Sequence, residues 1–261
     1  MENVILYSVL RSLRAKNDAG PKAKTDINEF LTEEGFKVMD LDLPEKRLEK
    51  FLFVHLKLKR LFKGRQFDNV ILQYPFYSVF LTKKIIENAK KVTHGKFLIM
   101  VHDVETLRVY DGNKQFEKDE MEIFNSADGL IVHNSKMAEW LKQHGVTVPI
   151  TILGIFDYRN DCQKNERFEY QKSICFAGNL EKSTFLKKVK LNDAKLDVYG
   201  PSPAQKYQKG VTYCGVYTPD DLPNHLNENF GLIWDGDELS ACTGVFGNYM
   251  RYNAPHKTSL Y

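Results

Sequence analysis

The residues best placed to do chemistry lie near the end of the chain, where residues 244–261 read GVFGNYMRYNAPHKTSLY. Gly244 and Gly247 permit turns, and Pro255 has the fixed φ that suits the first position of a helix, with Asn253 or Ala254 just outside it. The spacing predicts a helix from about Pro255. Its first turn carries His256 and Lys257 and no acid, the reverse of what the positive end of a helix favours. An anion resolves the mismatch: free backbone N–H groups, Lys257, Arg251 and the hydroxyls of Thr258 and Ser259 then converge on one phosphate. A plain capped helix with solvated basic residues accounts for the same pattern. Tyr249 and Tyr252 suit either stacking on a ring or packing in a core.

Four further sites are chemically able. Asp103 follows an apolar run over 96–102, so it stands where a strand ends, and a carboxylate there can take the proton of a substrate hydroxyl; an Asp that caps the following turn reads the same way. His102 and Glu105 stand behind it. Gly178, Asn179 and Lys182 sit where a strand gives way to a helix, offering N–H groups and one ammonium to a phosphate, although Gly-Asn also makes ordinary turns. Tyr217 precedes the helix-start signal Thr218-Pro219-Asp220-Asp221 and suits a nucleobase or a core equally. Asp235-Gly236-Asp237 matches a metal-chelating DxD pattern, but three residues recur by chance and nearby cations can neutralise phosphate without metal, so no metal is expected and Asp235 is read as accepting from ligand hydroxyls.

These residues need a frame. The first half alternates strands near 4–9, 37–43, 69–74, 96–102 and 129–133 with helices near 26–34, 45–62, 78–91, 114–125 and 136–144. Such alternation predicts a parallel sheet covered on both faces, with ligands beyond the carboxyl ends of its strands. The first connection, over 10–25, is long for such a unit; it carries Arg11, Arg14, Lys16, Lys22 and Lys24 against Asp18 alone and ends at a capping signal, Thr25 or Asp26 before Glu29. It is either a mobile surface loop or a cover over a substrate. Residues 154–171 are polar and aperiodic, so we read domains at 1–153 and 172–261 with a linker between. The second shows strands near 173–177, 195–199, 211–214 and 230–234, with helices near 184–190 and 219–226.

Composition limits the function classes. The 261 residues are 43% hydrophobic and 27% charged, with a net charge of +3, too small for a dedicated nucleic-acid binder. Cys162, Cys175, Cys214 and Cys242 form no CxxC pair, which argues against a zinc or redox motif. No apolar run reaches the roughly 20 residues of a membrane span and no secretory leader is evident, so the chain is expected to be cytoplasmic. Charge is concentrated over 45–65, where eight basic residues face Glu45 and Glu49, a local +6 interleaved with Leu and Phe. Such a segment suits a sheet-packing helix with a solvated outer face, or peripheral contact with an anionic membrane. The absence of GxGxxG after the first strand and of GxxxxGK[ST] argues against dinucleotide-dependent oxidoreductases and P-loop enzymes.

GNYMRYNAPHKTSLY, together with GNLEKSTFL at 178–186, HDVETLR at 102–108 and NDAGPKAKTD at 17–26, resembles a bacterial glycosyltransferase family that includes β-1,6-galactofuranosyltransferases of surface polysaccharides and the glucosyltransferase that extends N-acetylglucosamine on serine-rich adhesins. The likeness covers nearly the whole chain in matching order. It implies an α/β fold of two Rossmann-like domains with parallel sheets, the GT-B type, acting on a nucleotide-activated sugar. Combined with the readings above, the donor side comprises Asn179, Lys182, Tyr217, Asp235, Arg251, Asn253, His256, Lys257, Thr258 and Ser259. Asp103 is the catalytic base, and the acceptor side takes in Gly20, Lys22, Thr25, His102 and Glu105.

The expected function is transfer of a hexose, glucose or galactofuranose, from a UDP-sugar to a hydroxyl of a saccharide, glycoprotein or glycolipid acceptor, without metal or other cofactor. A catalytically silent nucleotide-sugar or glycan-binding subunit of another transferase is the alternative, and turnover separates the two. The second domain shows four strands where such sheets hold about six, and the family pattern continues past Tyr261. The sequence therefore reads as cut within the donor domain, with bared apolar surface that favours homo-oligomer formation.

Overall fold

A computed structural model describes residues 2–10, 19–162 and 169–261. Arg11, Arg14, Lys16 and Asp18 of the first connection, and part of the 154–171 segment, lie outside the described residues. The chain divides into two compact units, Met1–Lys16 with Ala23–Gly154 and Asn17–Lys22 with Ile155–Tyr261.

The first unit is a six-stranded parallel sheet in the order β2-β1-β3-β4-β5-β6. Its strands are β1 Glu2–Tyr7, β2 Lys37–Asp40, β3 Phe67–Tyr74, β4 Phe97–Val101, β5 Gly129–Val132 and β6 Ile150–Ile152. The helices are α1 Ala19–Glu33, which belongs to this unit from Ala23 on, α2 (Arg47–Leu52, a π segment Phe53–Leu58, then Lys59–Phe62), α3 Val79–Lys90, α4 Lys114–Asn125 and α5 Ser135–Gln143. Central strands are apolar on both faces, as a covered parallel sheet requires: Ile5, Leu6, Val70, Leu72, Ile99 and Val101 are all buried. Three helix starts are set by side chains accepting a backbone N–H three residues on: Ser78 from Leu81, Asn113 from Phe116 and Asn134 from Met137.

Two readings of this half need correction. Helix α1 begins at Ala19, not near residue 26, and Asp26, read as its cap, is buried inside it. Pro21 is the reason: in the first turn its missing N–H costs nothing, so Gly20-Pro21 opens the helix instead of marking a loop. Strand β6 was not anticipated; it is three residues long.

The second unit is a four-stranded parallel sheet in the order β10-β7-β8-β9, built from β7 Ser173–Ala177, β8 Lys195–Tyr199, β9 Val211–Gly215 and β10 Phe230–Gly231. Its core gathers Phe176, Leu180, Phe185, Leu186, Val189, Leu196 and Val198. Here the expected α-helices shorten to 3-10 turns. Residues 184–190 give only Thr184–Lys187, and Val189, just past that turn, joins Leu186 in the core. Residues 219–226 give Leu222–His225, because Pro223 would clash with the carbonyl of residue 219 in a longer α-helix. The strand expected over 230–234 contracts to Phe230–Gly231. The terminal motif differs most: α6 spans Gly244–Tyr249, and the helix expected from Pro255 is a 3-10 turn, His256–Thr258, with Pro255 itself extended at ψ 136°. Two parallel α/β units are thus present, as predicted. Among the described residues no helix is long and apolar enough to cross a membrane.

Candidate functional site

In the first unit, strand order reverses between β1 and β3, because successive connections leave β1 in opposite directions. A lysine fills that point. The Lys24 ammonium, carried by α1, donates to the carbonyls of Ser8 at 3.3 Å and Pro75 at 2.7 Å, just past the ends of β1 and β3. Burial pushes its pKa down to about 8, against the opposing pull of Asp103 and Glu105. Gln73, fully buried on β3, spends its amide N–H groups on the Lys24 carbonyl and on Asn28 Oδ1, so its oxygen accepts from His102 Nε2–H at 2.7 Å. Beyond β4, Arg108 forms an ion pair with Asp103 and reaches Glu105 at 3.4 Å. Glu105 is only 3% exposed, and burial lifts its pKa to about 7 despite Arg108. The turn that holds it is anchored by Glu120 of α4, which accepts from the N–H groups of Glu105 and Thr106 and from the Tyr74 hydroxyl. A cavity of about 230 Å3 opens beside this cluster, lined by Glu105 and Arg108 and walled by Tyr77, Tyr110 and Phe116.

The second unit repeats the arrangement. Its strand order reverses between β7 and β10, and again a lysine stands there. Lys257 Nζ lies 4.5 Å from the centroid of Phe176 on β7 and close to Gly178, the first residue past that strand. Burial pushes its pKa down to about 8, and Asp235 opposes the shift. The Tyr261 hydroxyl accepts the Ala177 N–H at 2.8 Å, and its ring lies so close to Gly231 of β10 that a Cβ there would stand 2.0 Å from it. Gly200, after β8, has φ +140° and meets the Gly178 carbonyl where a Cβ would sit 1.8 Å away, so the loops after β7 and β8 touch backbone to backbone. Among the described residues no group of three or more His, Cys, Asp or Glu is placed to hold a metal ion.

Family models match both halves: the N-terminal domain of the glucosyltransferase 3-like family over residues 7–155 and its C-terminal domain over 174–261. The chain belongs to the glucosyltransferase 3-like family. It is similar to β-1,6-galactofuranosyltransferase WbbI of Escherichia coli (strain K12), 27% identical over 256 residues that span 95% of this chain and 73% of that protein. It is also similar to glucosyltransferase 3 of Streptococcus parasanguinis, 26% identical over 188 residues, which are 71% of this chain and 56% of that one. A structure of TarM from S. aureus shows a looser likeness, with a TM-score of 0.46 and 17% identity over 67% of this chain and 38% of that one. The chain is thus a glycosyltransferase of the glucosyltransferase 3-like family.

Within the family motifs the predicted residues have unequal positions. Lys257 stands at the reversal point of the second sheet, within electrostatic reach of Asp235. His256 Nε2 bonds to the Asp157 carbonyl and its ring stacks on Tyr158 at 4.7 Å, while the Ser259 hydroxyl donates to the Phe156 carbonyl, so both tie the terminal segment to 156–158. The convergence on one helix-bound phosphate therefore fails, since a three-residue 3-10 turn presents no row of free N–H groups. Thr258 sits in that turn, and Asn253 follows α6 with its N–H on the Tyr249 carbonyl. Arg251, also just past α6, is exposed. Asn179 accepts from the N–H groups of Glu181 and Lys182, an Asx turn. Lys182 lies over the Phe246 ring at 5.5 Å. Tyr217 stacks on His225 at 3.6 Å, the packing alternative, and Asp237 accepts from Thr184. On the acceptor side, His102 and Glu105 join the Asp103 cluster, Gly20 and Thr25 lie on α1, and Lys22 pairs with Asp220 at 2.9 Å and donates to the Arg159 carbonyl within the second unit. Sequence reasoning missed Lys24, Gln73, Arg108 and Glu120 as site-builders. Gln73, directly after the apolar run Val70–Leu72 of β3, was the signal available for it.

Proposed function

We propose that this glycosyltransferase moves a hexose, glucose or galactofuranose, from a UDP-sugar to a hydroxyl of a saccharide acceptor in surface polysaccharide or adhesin glycan synthesis, on the cytoplasmic side and without a metal. The carrying observation is Lys257: an enclosed ammonium, with pKa lowered to about 8, at the strand-order reversal of the second sheet. An anion brought to it restores the charged form that burial disfavours, so a diphosphate is the complement it lacks. Exposed Arg251 supplies the second cation. The names of the two relatives, a galactofuranosyl- and a glucosyltransferase, support the hexose.

In an inverting transfer, Asp103 accepts the proton of the acceptor hydroxyl as its oxygen attacks the anomeric carbon, and the bond to the diphosphate breaks with its electrons leaving on UDP. Arg108, shared with Glu105, orients that carboxylate. The cavity beside Glu105 and Arg108, with Tyr and Phe walls, suits the acceptor sugar. Self-association belongs to this reading as well, since β10 is a two-residue edge strand whose Phe230 is 55% exposed beside Tyr170. A solution mass above the 30.2 kDa of one chain checks it.

The deciding experiment is calorimetry with UDP on the parent and on Lys257→Ala. Loss of one charge-assisted contact weakens binding by about 1.5 to 3 kcal/mol. Unchanged affinity removes Lys257 from the donor site.

A further inference from the structure

We propose that helix α2 docks the first unit onto an anionic lipid surface through a ridge that is apolar in its first half and basic in its second. Leu48, Phe51, Leu52 and Leu56 are between 46% and 70% exposed, although each is large and apolar. They recur three or four residues apart, so they form one stripe on the outside of the helix. The opposite stripe, Phe53, Val54, Leu58 and Phe62, is buried. Phe53 and Leu58 are five apart, which an α-helix would put on different faces, and the π segment Phe53–Leu58 absorbs the extra residue and keeps both inward. The same rephasing continues the outer stripe into Lys59, Arg60 and Lys63, all exposed. No carboxylate stands within ion-pairing distance of these three among the described residues.

Charge complementarity selects the occupant. Residues 45–65 hold eight basic side chains against two acidic ones, and the apolar stripe is a convex ridge, not a groove. A ridge of Leu and Phe enters the boundary between headgroups and acyl chains while adjoining cations meet lipid phosphates. This surface lies on the first unit and does not rest on the transfer reaction proposed above.

Flotation of the 261-residue chain with vesicles of phosphatidylcholine, alone or with roughly one-third phosphatidylglycerol, tests it. Binding is expected to the anionic vesicles only, and added salt should weaken it. The combined variant Lys59→Glu, Arg60→Glu, Lys63→Glu should lower partition by about a hundredfold, near fivefold for each cation brought to the surface. Phe51→Ser with Leu56→Ser should lower it by about tenfold or more. Thermal melts matching the parent verify folding, and Gln replaces Glu in the triple variant if they do not. Failure of the parent to bind anionic vesicles, equal binding to both compositions, or binding that survives the triple variant overturns the proposal. A fall in solution mass on Phe51→Ser with Leu56→Ser does so too, since it assigns the ridge to a second copy of the chain.

Discussion

Glu105 makes the first unit weaker at neutral and alkaline pH, and Glu105→Gln should abolish that weakness. Its carboxyl has a pKa raised from 4.5 to about 7, with burial as the main cause and Arg108 opposing it. The folded state therefore holds a proton that the unfolded chain has already lost, so stability falls as pH rises between those two values. A shift of about 2.5 units corresponds to roughly 3 kcal/mol, a large part of the 5 to 15 kcal/mol typical of a domain. Gln has nearly the same shape and does not titrate. The difference in unfolding free energy between variant and parent should thus grow from near zero at about pH 4 to about 3 kcal/mol at about pH 8, in favour of the variant. Lys24 acts in the opposite sense: its lowered pKa makes stability rise with pH above about 8, and losing the Glu105 charge that opposes this shift moves the rise to lower pH in the variant, again in the variant's favour. Urea unfolding can be read in the first unit alone through Trp140 on α5, after Trp234→Phe silences the second unit. A difference that is the same at both pH values, or that favours the parent at the higher one, refutes the reasoning.

Other outcomes follow from the same geometry. Asp103→Asn should lower turnover by roughly 10²- to 10⁴-fold with UDP affinity nearly intact, and near-normal turnover excludes the base role. UDP affinity should decline as pH rises through about 8, where Lys257 loses its proton, and titration calorimetry should find that decline absent in Lys257→Arg. Gly231→Ala meets the Tyr261 ring, with its nearest atom 2.0 Å from the new Cβ, and should cost the second unit about 1 to 3 kcal/mol. Tyr261→Ala should recover part of that loss in a double-mutant cycle, and additive losses would show that the two residues do not meet.

The strands of both units were legible because a covered parallel strand is a short apolar run between turn signals, as in FLIMV over Phe97–Val101 or SICFA over Ser173–Ala177. Helices capped by Ser78, Asn113 and Asn134 were legible from local chemistry for the same reason. What escaped was set by packing or by proline. Pro21 reads as a turn yet opens a helix, Pro223 reads as part of a helix yet limits one, and Pro255 has a helical φ but an extended ψ. Lys257 and Asp103 stood out in the sequence, and both lie beyond the carboxyl end of a strand. Lys24 did not, because its role depends on carbonyls 16 and 51 residues away that no spacing rule connects. Ser259 and His256 show the converse: their types suit a phosphate, but carbonyls of 156–157 already occupy them.

The π segment of α2 converts one residue of length into a choice of direction. Wound as a uniform α-helix with every residue kept, the segment would swing everything after it by about 100° relative to what comes before. Leu58 and Phe62 would leave the core, and Lys59, Arg60 and Lys63 would turn with them. The compass bearing of that charge is therefore written in how one extra residue is wound, and deleting a residue together with the π turn would leave it unchanged.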